Sequence, residues 1–205
     1  MNYTHIVFDV DGTLIDTEKT GLVSLQQTVR QELGKEMTLE DLYPYFGVPS
    51  WEVVLMLEFP DLYKAAEIWE HHFQSLVHLA EPFDGVEKTL QALHEKGTVM
   101  GVVTSRTRVE LELDRHLALW MHFFKATVCA EDAPAPKPAP DPMLAFLSLT
   151  GADPAKVLFV GDTLYDQQCA QAAGTAFALA SWGSRNGKDI QANHYLKHPE
   201  DILEL

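Results

Sequence analysis

At 205 residues the chain can bury one sizeable core or two small ones, and 46% hydrophobic with 22% charged residues is a soluble globular balance. A formal net charge of −15 opposes nonspecific attachment to nucleic acid or an anionic membrane, so an anionic substrate would need a locally positive site. No apolar run reaches membrane-spanning length, and the N-terminus lacks a basic stretch followed by a long apolar one, which makes a cytoplasmic location the expectation.

The first element is an apolar run, Ile6 to Phe8, read as a buried strand that ends abruptly in Asp9-Val10-Asp11-Gly12-Thr13-Leu14. In an open parallel sheet, ligands sit outside the carboxyl ends of strands, so Asp9 and Asp11 would stand on a rigid site rim. Alternation along a strand lets them share a face, although Gly12 can bend the chain there. Two anions held that close repel unless a cation or a proton intervenes.

A long helix is predicted from about Thr17 to Leu33, with Leu22, Leu25, Val29 and Leu33 at helical spacing and Gly34 as its stop. After a break at Tyr43 to Pro49, further helix runs from about Ser50 to Leu57, and another from about Leu62 to Leu79. Glu81-Pro82-Phe83-Asp84-Gly85 then punctuates the chain. Strand signals are nearly absent in this whole stretch.

From Gly85 onward, helix and strand alternate. Val86 to Leu93 is helical, Val99 to Val103 is a strand ending at Thr104-Ser105, and Thr107 with Glu110 signals a capped helix carrying Leu111 and Leu117. A short strand covers Ala126 to Cys129. The proline cluster Pro134 to Pro142 reads as an extended, stiff path, and Asp141-Pro142 opens a helix closed by Gly151. Val157 to Val160 is a strand running into Gly161-Asp162, followed by a helix to Gly174, a strand from about Ala176 to Ala180 and a weaker tail to Leu205. Cys129 and Cys169 read as buried, reduced thiols, since one stray pair is no disulfide framework.

Repeated strand–helix units imply a Rossmann-like α/β core of parallel strands with right-handed crossovers. The core would comprise residues 1–15 and 83–205, with a small α-helical cap, residues 16–82, inserted after the first strand. An insertion at a strand's carboxyl end is placed as a lid, and Leu14 to Thr17 and Glu81 to Asp84 would be its hinges.

Polar groups accumulate at the strand ends: Asp9 and Asp11, Thr104 and Ser105, the loop holding Lys137, and Asp162 with Asp166. Parallel strands would bring all four sets to one edge of the sheet. In this order and company they identify the chain as resembling the haloacid dehalogenase superfamily, in the subgroup similar to phosphoglycolate phosphatase and β-phosphoglucomutase. The resemblance covers essentially the whole chain.

By that resemblance Asp9 is the nucleophile and forms an aspartyl-phosphate. Mg²⁺ is the implied cofactor, held by Asp9, Asp162 and the carbonyl of Asp11, whose side chain protonates the leaving oxygen and then activates water. A carboxylate nucleophile splits hydrolysis into two easier steps, and a hard divalent cation relieves the clash of two anions. Gly12, Thr104, Ser105 and Lys137 are implied around the phosphate, with backbone N–H groups near Thr107 suited to its oxygens. Thr104 and Lys137 also count with the catalytic residues, Lys137 neutralising developing charge. Asp166, one helical turn past Asp162, would support metal-bound waters.

The implied activity is Mg²⁺-dependent hydrolysis of small phosphomonoesters, phosphoglycolate-like first, by a monomer or weak dimer with no nucleic-acid or membrane partner. A sugar phosphomutase is the alternative, and a catalytically silent phosphate-binding module the alternative of another class. Related mutases carry an arginine three residues after the cap-loop glycine, whereas Gly47 is followed by Val48, Pro49 and Ser50. The loop Tyr43 to Trp51 is where the leaving group would be read, with Tyr45, Phe46 and Trp51 as candidate contacts. The nine histidines show no metal spacing with carboxylates, and neither a dinucleotide-binding nor a Walker glycine loop is present.

Overall fold

The computed structural model describes residues 3–48, 50–185 and 187–205. The chain divides into two compact units, Met1–Asp16 with Pro82–Leu205, and Thr17–Glu81.

The chain opens with β1 (His5–Phe8) and a two-residue strand, β2 (Ile15–Asp16). The helical unit then contains α1 (Glu18–Leu33), α2 (Leu39–Leu42), α3 (Ser50–Met56) and α4 (Leu62–Leu76). Its core is the apolar stripe of α1, Leu22, Leu25 and Val29, closed by Leu42, Val53, Val54, Phe59 and Ala65. The helices start where side chains can satisfy free amides: Thr38 and Asp41 form a capping box at α2, and Asp61 accepts from the Lys64 amide at 3.0 Å. Trp69 donates its indole N–H to Ser24 Oγ at 2.9 Å, tying α4 to α1.

A second short strand, β3 (Glu81–Pro82), pairs with β2. It is followed by α5 (Val86–Glu95), β4 (Val99–Val103), α6 (Arg108–Leu113), α7 (Arg115–Trp120), β5 (Phe124–Val128) and α8 (Asp141–Thr150). The remainder is β6 (Val157–Gly161), α9 (Leu164–Ala172), β7 (Ala176–Ala180) and β8 (His194–Leu196), with a last 3₁₀ turn at Pro199–Glu204.

Six strands form one sheet in the order β5-β4-β1-β6-β7-β8, and each of these pairings is parallel. This is the predicted α/β, Rossmann-like fold. β1 lies inside the sheet, buried on both faces, which is why Ile6, Val7 and Phe8 read as an unbroken apolar run. On one face Val7, Val103, Val157 and Phe159 pack with Met143 and Phe146 of α8 and Cys169 of α9. Gly101 in β4 makes room for this layer, because a side chain there would collide with the Phe146 ring.

Three local expectations need correction. The helix predicted through Leu111 and Leu117 is broken at Asp114, whose carboxylate accepts from the His116 and Leu117 amides and so caps a new helix, α7. The proline cluster is not extended around Lys137: the Ala139 amide donates to the Pro136 carbonyl at 3.0 Å, and Lys137 sits in a turn. The Lys137–Pro138 peptide is cis. Finally, the weak C-terminal tail contributes β8, whose three residues are too few to show a period.

Candidate active site

Register places the site. Phe8 is level with Val102 of β4 and with Val160 of β6, so the chain beyond Phe8 emerges between two neighbouring strand ends. The chain builds outward from β1 through β4 to β5 and then crosses back to β6 on the other side of β1, making this a switch point of the sheet. Asp9 is still held in the ladder, donating its amide to the Val160 carbonyl at 2.9 Å.

The chain then turns sharply. The Val10 carbonyl accepts from the amides of Thr13, Leu14 and Ile15 at 3.2, 2.8 and 3.0 Å. Gly12 has φ of 77°, and any side chain on it would strike the Asp162 carboxylate, so both conformation and space demand glycine. Thr13 donates its hydroxyl to Asp162 Oδ1 at 3.1 Å, while its carbonyl accepts from the Trp182 indole at 2.9 Å.

Lys137 comes in from the proline loop. Its ammonium lies 2.9 Å from Asp9 Oδ1 and 2.6 Å from Asp166 Oδ1, and its side chain is only 7% exposed. Asp166 is fully buried, and its other oxygen accepts from the Thr163 amide and hydroxyl at 3.0 and 2.5 Å, closing the capping box of α9. Gly161 allows this, since a side chain there would overlap Asp166.

Burial is the largest influence on Asp9, pushing its carboxyl up to about 7; Lys137 opposes, and Asp166 and Asp11 reinforce. Asp162 is raised well above the ordinary carboxylate range by burial and by Asp166 and Asp9, against Lys137 and Thr13. Burial pulls Lys137 down, but Asp166 and Asp9 outweigh it and hold the lysine as an ammonium. Burial pushes the free thiols Cys129 and Cys169 up to about 11, so neither is a reactive thiolate.

Asp9, Asp162 and Asp166 offer oxygens within 4.8 Å of one another, all buried, against the single ammonium of Lys137. Such an excess of buried negative charge, presented as hard oxygen donors, fits a divalent cation. Asp166 is already committed to Lys137 and Thr163, which leaves Asp9 and Asp162 as the carboxylates better placed to bind one.

The profile of the haloacid dehalogenase-like hydrolases matches residues 6–180, from β1 through β7 and including the whole helical unit. The chain belongs to that family. A pyrophosphatase, PpaX, of Bacillus velezensis is 29% identical over 98% of this hydrolase and 95% of the relative. A phosphoglycolate phosphatase of Aquifex aeolicus is 32% identical over the same shares. A Lactobacillus plantarum crystal structure, whose phosphoglycolate phosphatase assignment is itself provisional, superposes with TM-score 0.92 at 28% identity, covering 100% of this chain and 99% of that one.

The structure thus brings together Asp9, Gly12, Lys137, Asp162 and Asp166 of the hydrolase. Asp11 stands slightly apart, its carboxylate gripped by Arg106 at 2.7 and 2.9 Å. Thr104 is buried at the end of β4, with its hydroxyl accepting from the Arg106 amide at 3.1 Å, whereas Ser105 is exposed.

The amides entering α6 do not form an anion site. Thr107 donates to Glu110 Oε2 at 2.6 Å and Arg108 to Glu131 Oε1 at 2.9 Å, so carboxylates already occupy the position proposed for phosphate. The capping box that marks the helix in the sequence also closes it to an anion.

Two site residues escaped sequence reasoning. Arg106 follows Thr104-Ser105 directly, and a cation just past a strand-end hydroxyl was the available signal. Trp182 lies just beyond β7, and only its hydrogen bond to Thr13 reveals its place.

In the helical unit, Tyr45 and Phe46 pack against the core around Leu22 and Leu25, whereas Trp51 is exposed. Pro49 of the same loop lies outside the described residues. Among the described residues no helix is long and apolar enough to cross a membrane.

Proposed function

We propose that this hydrolase is a Mg²⁺-dependent phosphatase of small phosphomonoesters, working through an aspartyl-phosphate on Asp9. The observation that carries the reading is Asp9 itself: a buried carboxylate at the end of an interior strand, ion-paired to Lys137 and grouped with Asp162. The phosphoglycolate phosphatase and pyrophosphatase relatives favour hydrolysis over transfer.

The Asp9 carboxylate attacks phosphorus as the ester P–O bond breaks, and the departing oxygen takes a proton from Asp11. Water then loses a proton to Asp11 and attacks the same phosphorus, releasing phosphate and restoring the Asp9 carboxylate. Lys137 keeps Asp9 oriented and opposes the charge that gathers on the phosphoryl oxygens, while Asp166 holds the lysine. Thr104 at the end of β4 and Gly12 in the turn after β1 are the groups proposed to meet those oxygens. Held by Asp9, Asp162 and the Asp11 carbonyl, Mg²⁺ would supply the positive charge that lets nucleophile and phosphate approach.

The helical unit Thr17–Glu81 is proposed as the cap that reads the leaving group, with exposed Trp51 a candidate contact. Phosphoglycolate-like esters rank first as substrates, with sugar phosphates and pyrophosphate after, and the setting is cytoplasmic. The test is phosphate release from a panel of phosphomonoesters with Mg²⁺ or EDTA, using the protein and Asp9→Asn. Metal-dependent release abolished by the substitution is expected; release undiminished in Asp9→Asn would refute the mechanism.

A further inference from the structure

A buried arginine that the chemistry above leaves unused lies against the acid on which that chemistry depends. Arg106 has a side chain only 4% exposed, and all three guanidinium nitrogens are engaged. Nε donates to Asp11 Oδ2 at 2.9 Å, Nη2 to Asp11 Oδ1 at 2.7 Å, and Nη1 to Asp114 Oδ2 at 2.8 Å. The backbone is tied as well: the Arg106 amide donates to Thr104 Oγ1 at 3.1 Å, and its carbonyl accepts from the Ala130 amide at 2.9 Å.

Asp114 is itself fixed. Its Oδ1 accepts the two amides that open α7, at 2.9 and 3.1 Å, which leaves Oδ2 for the guanidinium. The chain of contacts therefore runs from a helix start, through a carboxylate and a buried guanidinium, to the acid beside the nucleophile. Arginine differs here from Lys137. The lysine meets one oxygen of each of two carboxylates as a point charge, whereas the two-pronged contact of Arg106 sets the plane of a single carboxyl group.

We propose that Arg106 is a positioning residue that holds the Asp11 carboxyl group in the plane from which it meets the leaving oxygen, with Asp114 bracing the guanidinium. The inference rests on the phosphatase reading, in which Asp11 donates the proton. Asp11 is 36% exposed, so a leaving group can approach it, while Arg106 is spent on its two carboxylates and does not read the substrate's own charge.

The test compares kcat/KM, which reports the first phosphoryl transfer, for the alkyl phosphate best hydrolysed in the panel and for p-nitrophenyl phosphate, whose phenolate leaves with little need of a proton. Arg106→Lys keeps the charge and removes the fork. Its kcat/KM is expected to fall about 10²-fold on the alkyl ester, the lower end of what a placed acid contributes, and far less on the aryl ester. Asp114→Asn, which keeps an acceptor for α7, should show the same selectivity at smaller size, and it carries the comparison if Arg106→Lys does not fold.

Equal losses on both esters, or none on either, would overturn the inference. So would a loss confined to KM for anionic alkyl esters, which would make Arg106 a substrate-binding group. Asp9→Asn in the same assay separates the two levels: wild-type rates in that variant defeat the phosphatase reading itself, whatever pattern Arg106 shows.

Discussion

The two compact units bury polar groups of different kinds. In the helical unit the buried polar side chains are hydroxyls, and Ser24 and Thr28 return their protons to backbone carbonyls of α1, Gly21 at 2.8 Å and Ser24 at 2.9 Å. In the α/β unit, buried charges crowd the carboxyl edge of the sheet: Asp9, Asp162, Asp166, Arg106 and Asp114. A hydroxyl satisfied within its own turn adds nothing to a reaction. Buried carboxylates disfavour folding unless paired, so their concentration at one strand edge marks where function and not stability governs the choice of residue.

That contrast is broken most severely at Asp9. Asp9→Asn is expected to lower phosphatase kcat by about 10³-fold or more, since the amide cannot attack phosphorus, without loss of fold. Steady-state rates beside a thermal melt check both halves of the statement.

Lys137→Met should cost on the order of 3–5 kcal/mol of stability, because Asp9 and Asp166 would remain buried without their shared cation. Denaturant unfolding measures it, and a loss below about 1 kcal/mol would show that these carboxylates do not depend on the lysine. A neighbouring change of moderate size is Gly12→Ala. Positive φ and collision with Asp162 together predict about 1–3 kcal/mol and a fall in activity, readable from melts and initial rates.

In the helical unit the corresponding variant is Leu25→Ala, in a fully apolar setting. It should cost about 2–5 kcal/mol through lost burial and a residual cavity, seen by denaturant unfolding, while leaving metal dependence of the activity as it was. The smallest effect expected is at Lys64, whose exposed ammonium meets Glu32 at 2.7 Å and should contribute little to stability, measured by Lys64→Ala. Were Lys64→Ala to cost as much as Lys137→Met, burial would not be what separates the two ion pairs.

Much of this was legible before any coordinates. Ile6 to Phe8, Val99 to Val103 and Val157 to Val160 are apolar runs ending in polar residues, and parallel pairing alone carries Asp9, Thr104 and Asp162 to one edge. The helix of Glu18–Leu33 announces itself by its leucine spacing and Gly34. Local chemistry suffices for such elements, because period, caps and glycine stops act within a few residues of chain.

What only the tertiary structure decided depends on groups far apart in sequence. Arg106 reaches Asp11 across 95 positions, and Trp182 reaches Thr13 across 169. The turn at Lys137 aims its ammonium between Asp9 and Asp166, although the prolines alone argued for an extended path. The amides at Thr107, which suited an anion as a helix start, are closed by Glu110 and Glu131. A residue's type states what it can bond to, but its partner is chosen by the packing that brings the strand ends together, because a buried charge must find its counterpart wherever the fold has placed one.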